Sequence, residues 1–167
     1  GAMGVQSFED LECWKACRDL KIWIVKEVVP GLPSDEKYRL SDQVLRAARS
    51  ATANIAEGYG RFHFMDNAKF VSNARGSCWE ILDHLITARD EGFVSAELLQ
   101  TGREKVGSAI RLLNGYITYE TGAWIFAAEL NYGVSETGSF ALGGPDEEAL
   151  QALIMANFAY SDAASIT

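Results

Sequence analysis

The sequence predicts an all-α protein, namely an antiparallel up-down-up-down four-helix bundle followed by a C-terminal extension. Apolar residues recur at spacings of three and four along four segments of roughly 24 residues, which is the period of amphipathic helices. Short runs of turn-forming residues separate these segments, so consecutive helices are expected to run antiparallel. A chain of 167 residues, 48% of them hydrophobic, is long enough to bury one such core. We assign residues 1–4 to the remnant of a purification tag, 5–119 to the bundle and 120–167 to the extension.

The first two helices have clear boundaries in the sequence. The first is predicted to begin at Ser7, a residue type favoured as N-cap, and to end at Val29. The run Pro30–Pro33 stops it, because proline lacks the backbone N–H that a helix needs. The second helix is predicted over Ser34–Tyr59, and Gly58 and Gly60 are expected to stop it.

The third and fourth helices follow after short connections. Asp66 is the predicted N-cap of the third helix, which runs to Glu91 and is followed by Gly92. The fourth is predicted to begin at Ser95 and to reach at least Tyr119.

The extension after Tyr119 has a different pattern. Apolar residues alternate from Trp124 to Val134, which suggests a strand, but a continuation of the fourth helix accommodates the same residues. A loop rich in Gly, Ser and Thr follows, and the run Pro145–Glu148 then predicts the start of a short helix. The apolar face of that helix is a candidate docking surface for a partner, formed by Leu150, Leu153, Ile154 and Phe158.

Charge is unevenly distributed along the chain, whose net charge is −8. All 15 basic residues lie between Lys15 and Arg111. The chain has 16 acidic residues before Arg111, and the other 7 acidic residues follow it without any basic residue. The sequence therefore predicts a nearly neutral body with an acidic tail. Such a protein is a poor general ligand for nucleic acid, but its body can carry a local basic face.

The cysteines and histidines predict neither disulfides nor a metal site. Three cysteines, Cys13, Cys17 and Cys78, are too few for a disulfide framework and indicate a reducing compartment, so we expect a cytoplasmic protein. Cys13 and Cys17 share a helix face and could form half of a metal site, to be completed by Cys78, His63 or His84. No second pair of closely spaced ligands accompanies them, so we expect no metal and no cofactor. No run approaches the ~20 apolar residues of a membrane span.

Two motifs resemble a known family. Residues 8–15 (FEDLECWK) are similar to the opening of the bacterial four helix bundle proteins, also called 23S ribosomal RNA intervening-sequence proteins. Residues 46–61 (RAARSATANIAEGYGR) resemble the signature of that family, and residues 70–93 resemble its third helix and the turn that follows. The similarity covers roughly residues 7 to 119.

The resemblance implies an antiparallel bundle that assembles into a homo-oligomeric ring, usually a pentamer. It also implies similarity to the accessory variability determinants of diversity-generating retroelements, which partner a reverse transcriptase and bind RNA or DNA through a basic surface. The segment after Tyr119 lies outside the family pattern.

Basic and aromatic residues around the second helix are candidates for binding nucleic acid or another anion. Guanidinium and ammonium groups bind phosphate, and the candidates are Arg46, Arg49, Arg61, Lys69 and Arg75. The alternative is a network of ion pairs with Asp42, Glu57 or Glu80 at a subunit boundary. Candidates for stacking on bases are Phe62, His63 and Phe64, for which the alternative is a loop that caps one end of the bundle.

No residue pattern predicts a catalytic site. Asn54 and Glu57 lie one turn apart, and we expect them to bond to neighbouring helices or loops rather than to transfer protons. Small side chains on the second helix predict close packing within or between subunits rather than a ligand cavity, and they are Ala47, Ala48, Ala51, Ala53 and Ala56. We therefore expect a non-enzymatic oligomeric accessory or adaptor protein. The alternative is a purely structural scaffold whose C-terminal tail docks a protein partner without binding nucleic acid.

Overall fold

A computed structural model describes residues 5–61 and 63–132 of the chain and confirms the predicted fold class. The bundle consists of four helices, which are α1 (Glu12–Trp23), α2 (Leu40–Tyr59), α3 (Phe64–Asp90) and α4 (Ala96–Tyr132). Each helix packs against the next one along the chain, and α4 packs against α1. Consecutive helices run antiparallel, because residues early in one helix contact residues late in the next.

The amino-terminal cap lies where the sequence predicts it. The Ser7 hydroxyl accepts a hydrogen bond from the Glu9 amide (3.3 Å), and the Asp10 carboxylate accepts one from the Ser7 amide (3.0 Å). This reciprocal pair caps a single 3₁₀ turn, and α1 itself begins only at Glu12. The ring of Phe8, within that turn, contacts aromatic rings of both α1 and α2 edge-on, so it fixes the entering chain to the bundle.

The connection between α1 and α2 is longer than the sequence predicts. A π-helical turn (Ile24–Val28) and a 3₁₀ turn (Val29–Gly31) follow α1. At the predicted start of the second helix there is only a 3₁₀ turn (Ser34–Glu36), and α2 begins at Leu40. The Glu36 carboxylate accepts a hydrogen bond from the Leu40 amide (3.1 Å), so it supplies the cap that the sequence places at Ser34.

The boundaries of α3 differ slightly from the prediction. His63, rather than Asp66, is the residue that precedes the helix, and Asp66 lies in the first turn, where its charge suits the helix dipole. At the other end Gly92 has φ +78°, and the Phe93 amide donates to the Ala88 carbonyl (2.8 Å). A left-handed glycine thus ends α3, as the sequence predicts.

Helix α4 is capped as predicted but is longer. The Ser95 hydroxyl accepts a hydrogen bond from the Leu98 amide (3.1 Å). The helix continues to Tyr132, so the strand interpretation is wrong for Trp124–Tyr132 and the helical alternative is correct. The interleaved Ile125 and Ala127 break the two-residue period, which explains why the helix prevails. The predicted loop, the helix from Pro145 and its apolar face lie outside the described residues.

The core is aliphatic and receives side chains from all four helices. The largest fully buried residues are Leu20, Ile24, Ile55, Ile81, Leu85 and Leu113, each at most 1% exposed. Within the described part of the chain, no helix combines the length and the hydropathy needed to cross a membrane.

Candidate anion-binding groove

A shallow groove lies between the C-terminal end of α1, with the π-helical turn that follows it, and the N-terminal half of α2. Its volume is about 320 Å³. Its lining combines three basic residues with three aliphatic ones, and they are Lys21, Ile22, Val25, Lys26, Leu45 and Arg49. Among the described residues, no carboxylate belongs to this lining. The groove is therefore a local basic surface on a protein whose overall charge is negative.

The π-helical turn at the end of α1 helps to form this surface. The Val29 amide donates to the Ile24 carbonyl, five residues earlier, so the backbone turns more widely here than in an α-helix. Val25 and Lys26 belong to this turn and line the groove together with Lys21 and Ile22 of α1.

Lys21 is held in place by a hydrogen bond to α2. Its Nζ donates to the Thr52 hydroxyl (3.2 Å), and that hydroxyl donates to the Arg49 carbonyl (3.2 Å). Thr52 itself is buried. An ammonium group has three N–H donors, so Lys21 keeps two for a ligand after this contact.

Among the side chains that the structure describes, no carboxylate forms an ion pair with Lys21, Lys26 or Arg49. Beside them the aliphatic Val25 is 48% exposed. The groove thus offers both cationic and apolar contacts to a ligand.

Two of the five basic residues predicted to bind anions are engaged by carboxylates of α2. Arg46 lies 3.8 Å from Asp42, and Arg61 forms an ion pair with Glu57. The guanidinium of Arg61 also lies 4.6 Å from the centre of the Phe70 ring. These are two of the acidic partners that the alternative interpretation names, although both pairs lie within one chain.

The other three predicted residues do not form one surface. Arg75 donates to the Asn114 side chain (2.9 Å) across the boundary between α3 and α4. Lys69 is exposed on α3, whereas Arg49 lines the groove between α1 and α2. Only one of the five predicted residues therefore belongs to the groove.

Lys21 and Lys26 are the groove residues that sequence reasoning missed. They lie in the first predicted helix, and two aliphatic residues between them, Ile22 and Val25, accompany them in the lining. The sequence shows these lysines beside apolar residues, and this pattern could have identified them as binding candidates. The sequence does not show that they lie near Arg49, because that depends on how α1 packs against α2.

Of the predicted stacking residues, the structure describes the side chain of His63 alone. His63 is exposed and precedes α3. Phe62 and the side chain of Phe64 lie outside the described residues, so the aromatic surface remains a prediction.

The three cysteines are buried in the core. Cys17 and Cys78 place their sulfur atoms 3.8 Å apart, within reach of a weak S–H hydrogen bond. Burial raises the pKa of Cys13 to about 12, and the contact with Cys78 together with burial raises the pKa of Cys17. Both thiols are therefore protonated at neutral pH, a state unsuited to nucleophilic attack. In the described part of the chain no three potential ligands cluster as a metal site would require.

Asn54 bonds within its own helix rather than to a neighbouring helix or loop, and Ser50 connects α2 to α3. The Asn54 amide donates to the Ser50 carbonyl (2.9 Å), and the Ser77 hydroxyl of α3 donates to the Ser50 hydroxyl (3.0 Å). Three of the small residues on α2 are buried against neighbouring helices, namely Ala47, Ala48 and Ala51, whereas Ala53 is exposed.

Comparison with known proteins finds similarity over the bundle. The family described as 23S rRNA-intervening sequence protein matches residues 9–115, a range that contains all six groove residues. The crystal structure of a protein with unknown function from the S23 ribosomal protein family of Bacteroides thetaiotaomicron VPI-5482 superposes with a TM-score of 0.58. That similarity has 20% sequence identity and covers 63% of this chain and 97% of the other, so it concerns the fold alone. No curated protein matches the chain significantly.

Proposed function

The chain belongs to the 23S rRNA-intervening sequence protein family, and from this membership and the groove between α1 and α2 we propose a function. The protein is a non-enzymatic accessory or adaptor that binds single-stranded nucleic acid, RNA in the first instance, in the cytoplasm. It acts as a homo-oligomeric ring of five chains and presents the bound strand to a protein partner. The resemblance to retroelement accessory proteins makes a reverse transcriptase the expected class of partner.

The observation that carries this proposal is the set of three unpaired cations in the groove. Lys21, Lys26 and Arg49 line one surface, and no described carboxylate neutralises them. Arginine can hold a phosphate through two parallel N–H bonds, and lysine supplies a compact charge. Because attraction to phosphate is local, it can operate although the whole chain is acidic.

The size and the apolar part of the groove favour a single strand over a duplex. A volume of about 320 Å³ is that of a small-molecule site. The aliphatic side chains of Ile22, Val25 and Leu45 offer surface on which unstacked bases can lie, while the cations contact the backbone.

Binding rather than catalysis is supported by the state of the potential nucleophiles. Cys13 and Cys17 are buried with raised pKa values. The carboxylate of Glu57, the acid in the family-like signature, is engaged with Arg61. General acid–base chemistry needs a positioned partner group, which this ion pair does not supply.

Fluorescence polarisation with a labelled single-stranded RNA tests the proposal on the full chain. We expect the triple variant Lys21→Gln, Lys26→Gln, Arg49→Gln to lose at least tenfold in affinity at low salt. Each phosphate contact contributes about 0.7 to the slope of log affinity against log salt for single strands, so the slope should fall by about 2.

A matched control removes three charges elsewhere. The variant Arg46→Gln, Arg61→Gln, Arg75→Gln loses the same net charge from residues that have partners within the chain. It should bind RNA nearly as well as the unmodified protein. Equal losses in both variants would assign binding to net charge rather than to the groove, and no salt-sensitive binding by the unmodified protein would overturn the proposed function.

The second candidate function is a structural scaffold whose tail docks a protein. The observation in its favour is the accumulation of seven acidic residues without a basic one after Arg111. Oligomerisation without salt-sensitive RNA binding would support this candidate.

A further inference from the structure

The acidic tail has the chemistry that the groove lacks. Three consecutive acids, Asp146, Glu147 and Glu148, precede apolar residues at positions 150, 153, 154 and 158. That spacing gives one apolar face if the segment is helical. The groove presents three cations beside three aliphatic residues. Charge and apolar character are therefore complementary between the segment Pro145–Phe158 and the groove.

We propose that the segment Pro145–Phe158 of one copy of this chain binds in the groove between α1 and α2 of a second copy. The acids pair with Lys21, Lys26 and Arg49, and the apolar face covers the exposed Val25 and its aliphatic neighbours. The segment would compete with RNA for the groove, and only this competition rests on the proposed function.

The length of the chain favours a second copy over the same copy. A Cβ atom on Gly102 would lie 3.2 Å from the Trp23 ring, so Gly102 is level with the end of α1, beside which the groove lies. From Gly102, α4 runs away from the groove to Tyr132, a distance of about 45 Å along the helix axis at 1.5 Å per residue. The stretch from Tyr132 to Pro145 spans about 43 to 47 Å even when fully extended. A largely extended stretch is therefore needed to bring Asp146, Glu147 and Glu148 to the groove of their own chain.

Such an exchange has a consequence for assembly. Each copy donates one segment and accepts another, and successive copies close into a ring where the rotation between them permits. The groove and the tail would then contribute to the ring that the proposed function requires. RNA that occupies a groove would release the segment bound there.

Cross-linking of the full chain with a carbodiimide tests the contact directly, without RNA. The reagent joins a lysine amine to a carboxylate only when the two touch. We expect cross-links from Lys21 or Lys26 to Asp146, Glu147 or Glu148. In an equal mixture of ¹⁵N-labelled and unlabelled protein, refolded together, about half of them should join a heavy peptide to a light one if copies pair at random.

The internal control is the pair Lys15–Glu12, which lies 2.8 Å apart and should cross-link in every sample. If that pair reacts and no cross-link joins the tail to the groove, the proposal is wrong. Cross-links confined to peptides of the same isotope would overturn the second copy as donor and assign the segment to its own chain.

Lysine protection gives a second measurement on a charge-neutralised full chain. In the variant Asp146→Asn, Glu147→Gln, Glu148→Gln, Lys26 should react several-fold faster with an acylating ester than in the unmodified protein. The control Glu120→Gln, Glu129→Gln, Glu136→Gln removes the same charge and should leave the rate unchanged. Equal rates in all three proteins would overturn the proposal. Failure of RNA binding would instead overturn the proposed function and leave these two measurements unaffected.

Discussion

Gly58 shows how a single residue in the signature serves the packing of two helices. A Cβ atom at this position would lie 2.6 Å from the Asn67 side-chain oxygen and 2.9 Å from the Phe70 Cβ. Both neighbours belong to the first turns of α3, so the backbones of α2 and α3 approach closely here. The sequence predicts Gly58 as a helix stop, but α2 continues through it to Tyr59. Its role is contact between helices.

Two glycine-to-alanine substitutions should therefore have opposite effects on stability. Gly58→Ala forces α3 away and should lower the free energy of unfolding by about 1–3 kcal/mol. Gly76→Ala, on an exposed position of α3 with nothing within 4 Å, should raise it by about 0.5–1 kcal/mol because alanine restricts the unfolded chain. Urea unfolding of both variants measures the difference. A Gly58→Ala protein as stable as the unmodified one would contradict the close approach.

The buried thiols should make stability sensitive to alkaline pH. The folded state raises the pKa of Cys13 from 9.0 to about 12, so the protonated thiol is favoured in the folded protein. This contribution is complete below pH 9 and is lost as the pH rises from 9 towards 12, at about 1 kcal/mol per pH unit.

Cys13→Ala should accordingly show a smaller loss of unfolding free energy between pH 8.5 and 11 than the unmodified protein, by about 2 kcal/mol. Denaturant unfolding at the two pH values measures this. Lysines and tyrosines titrate in both proteins and cancel in the comparison. Parallel pH profiles would show that the thiol ionises as readily in the folded state as in the unfolded one.

At the scale of elements, backbone geometry at the helix ends positions both the bundle and the groove. The π-helical turn (Ile24–Val28) carries Val25 and Lys26 of the groove lining, and a left-handed glycine at position 92 turns the chain from α3 into α4. The first of these turns also buries Ile24 and Val28 in the core. Both turns determine where the following side chains lie.

The turn between α3 and α4 can be tested by a substitution that acts on the backbone alone. Gly92→Ala should cost about 1–2 kcal/mol, since φ +78° is strained for any residue with a Cβ. Nothing lies within 4 Å of a Cβ at Gly92, so a steric clash is not the cause. Gly31→Ala is the control, because Gly31 has equally open surroundings and no positive φ. Thermal or urea unfolding should separate the two variants, and equal stabilities would contradict the assigned turn.

At the scale of the whole molecule, the distribution of charge links assembly to binding. The body carries the basic residues, and the tail carries seven acids without a basic partner. Attraction between tails and grooves is weakened by salt, so assembly that depends on it should weaken as well. If both proposals hold, the acidic tail and RNA compete for the groove.

The oligomeric state is the first property to measure on the whole molecule. Light scattering at low salt should give a mass near five times the chain mass of 18.3 kDa. Neutralising the three acids at positions 146–148 should shift that mass towards smaller species or make assembly depend on concentration. A monomer under all conditions would contradict the ring and the exchange of tails together.

The sequence by itself determined the four helices, their order and about half of their ends. Periodic apolar residues, the Ser7 and Ser95 caps and Gly92 act within a few residues of chain, so local pattern suffices to place them. The family-like signature was equally visible in the sequence. The start of α2 at Leu40 was not, because the cap comes from the Glu36 side chain after an irregular turn.

The candidate site was decided by the tertiary structure. Five basic residues were predicted around the signature, yet packing disperses them and brings Arg49 together with Lys21 and Lys26 of another helix. Likewise, the contact of Gly58 with α3 exists only because two distant segments approach each other. Local patterns fix which face of a helix is apolar, whereas the rotation and crossing of packed helices decide which polar residues meet.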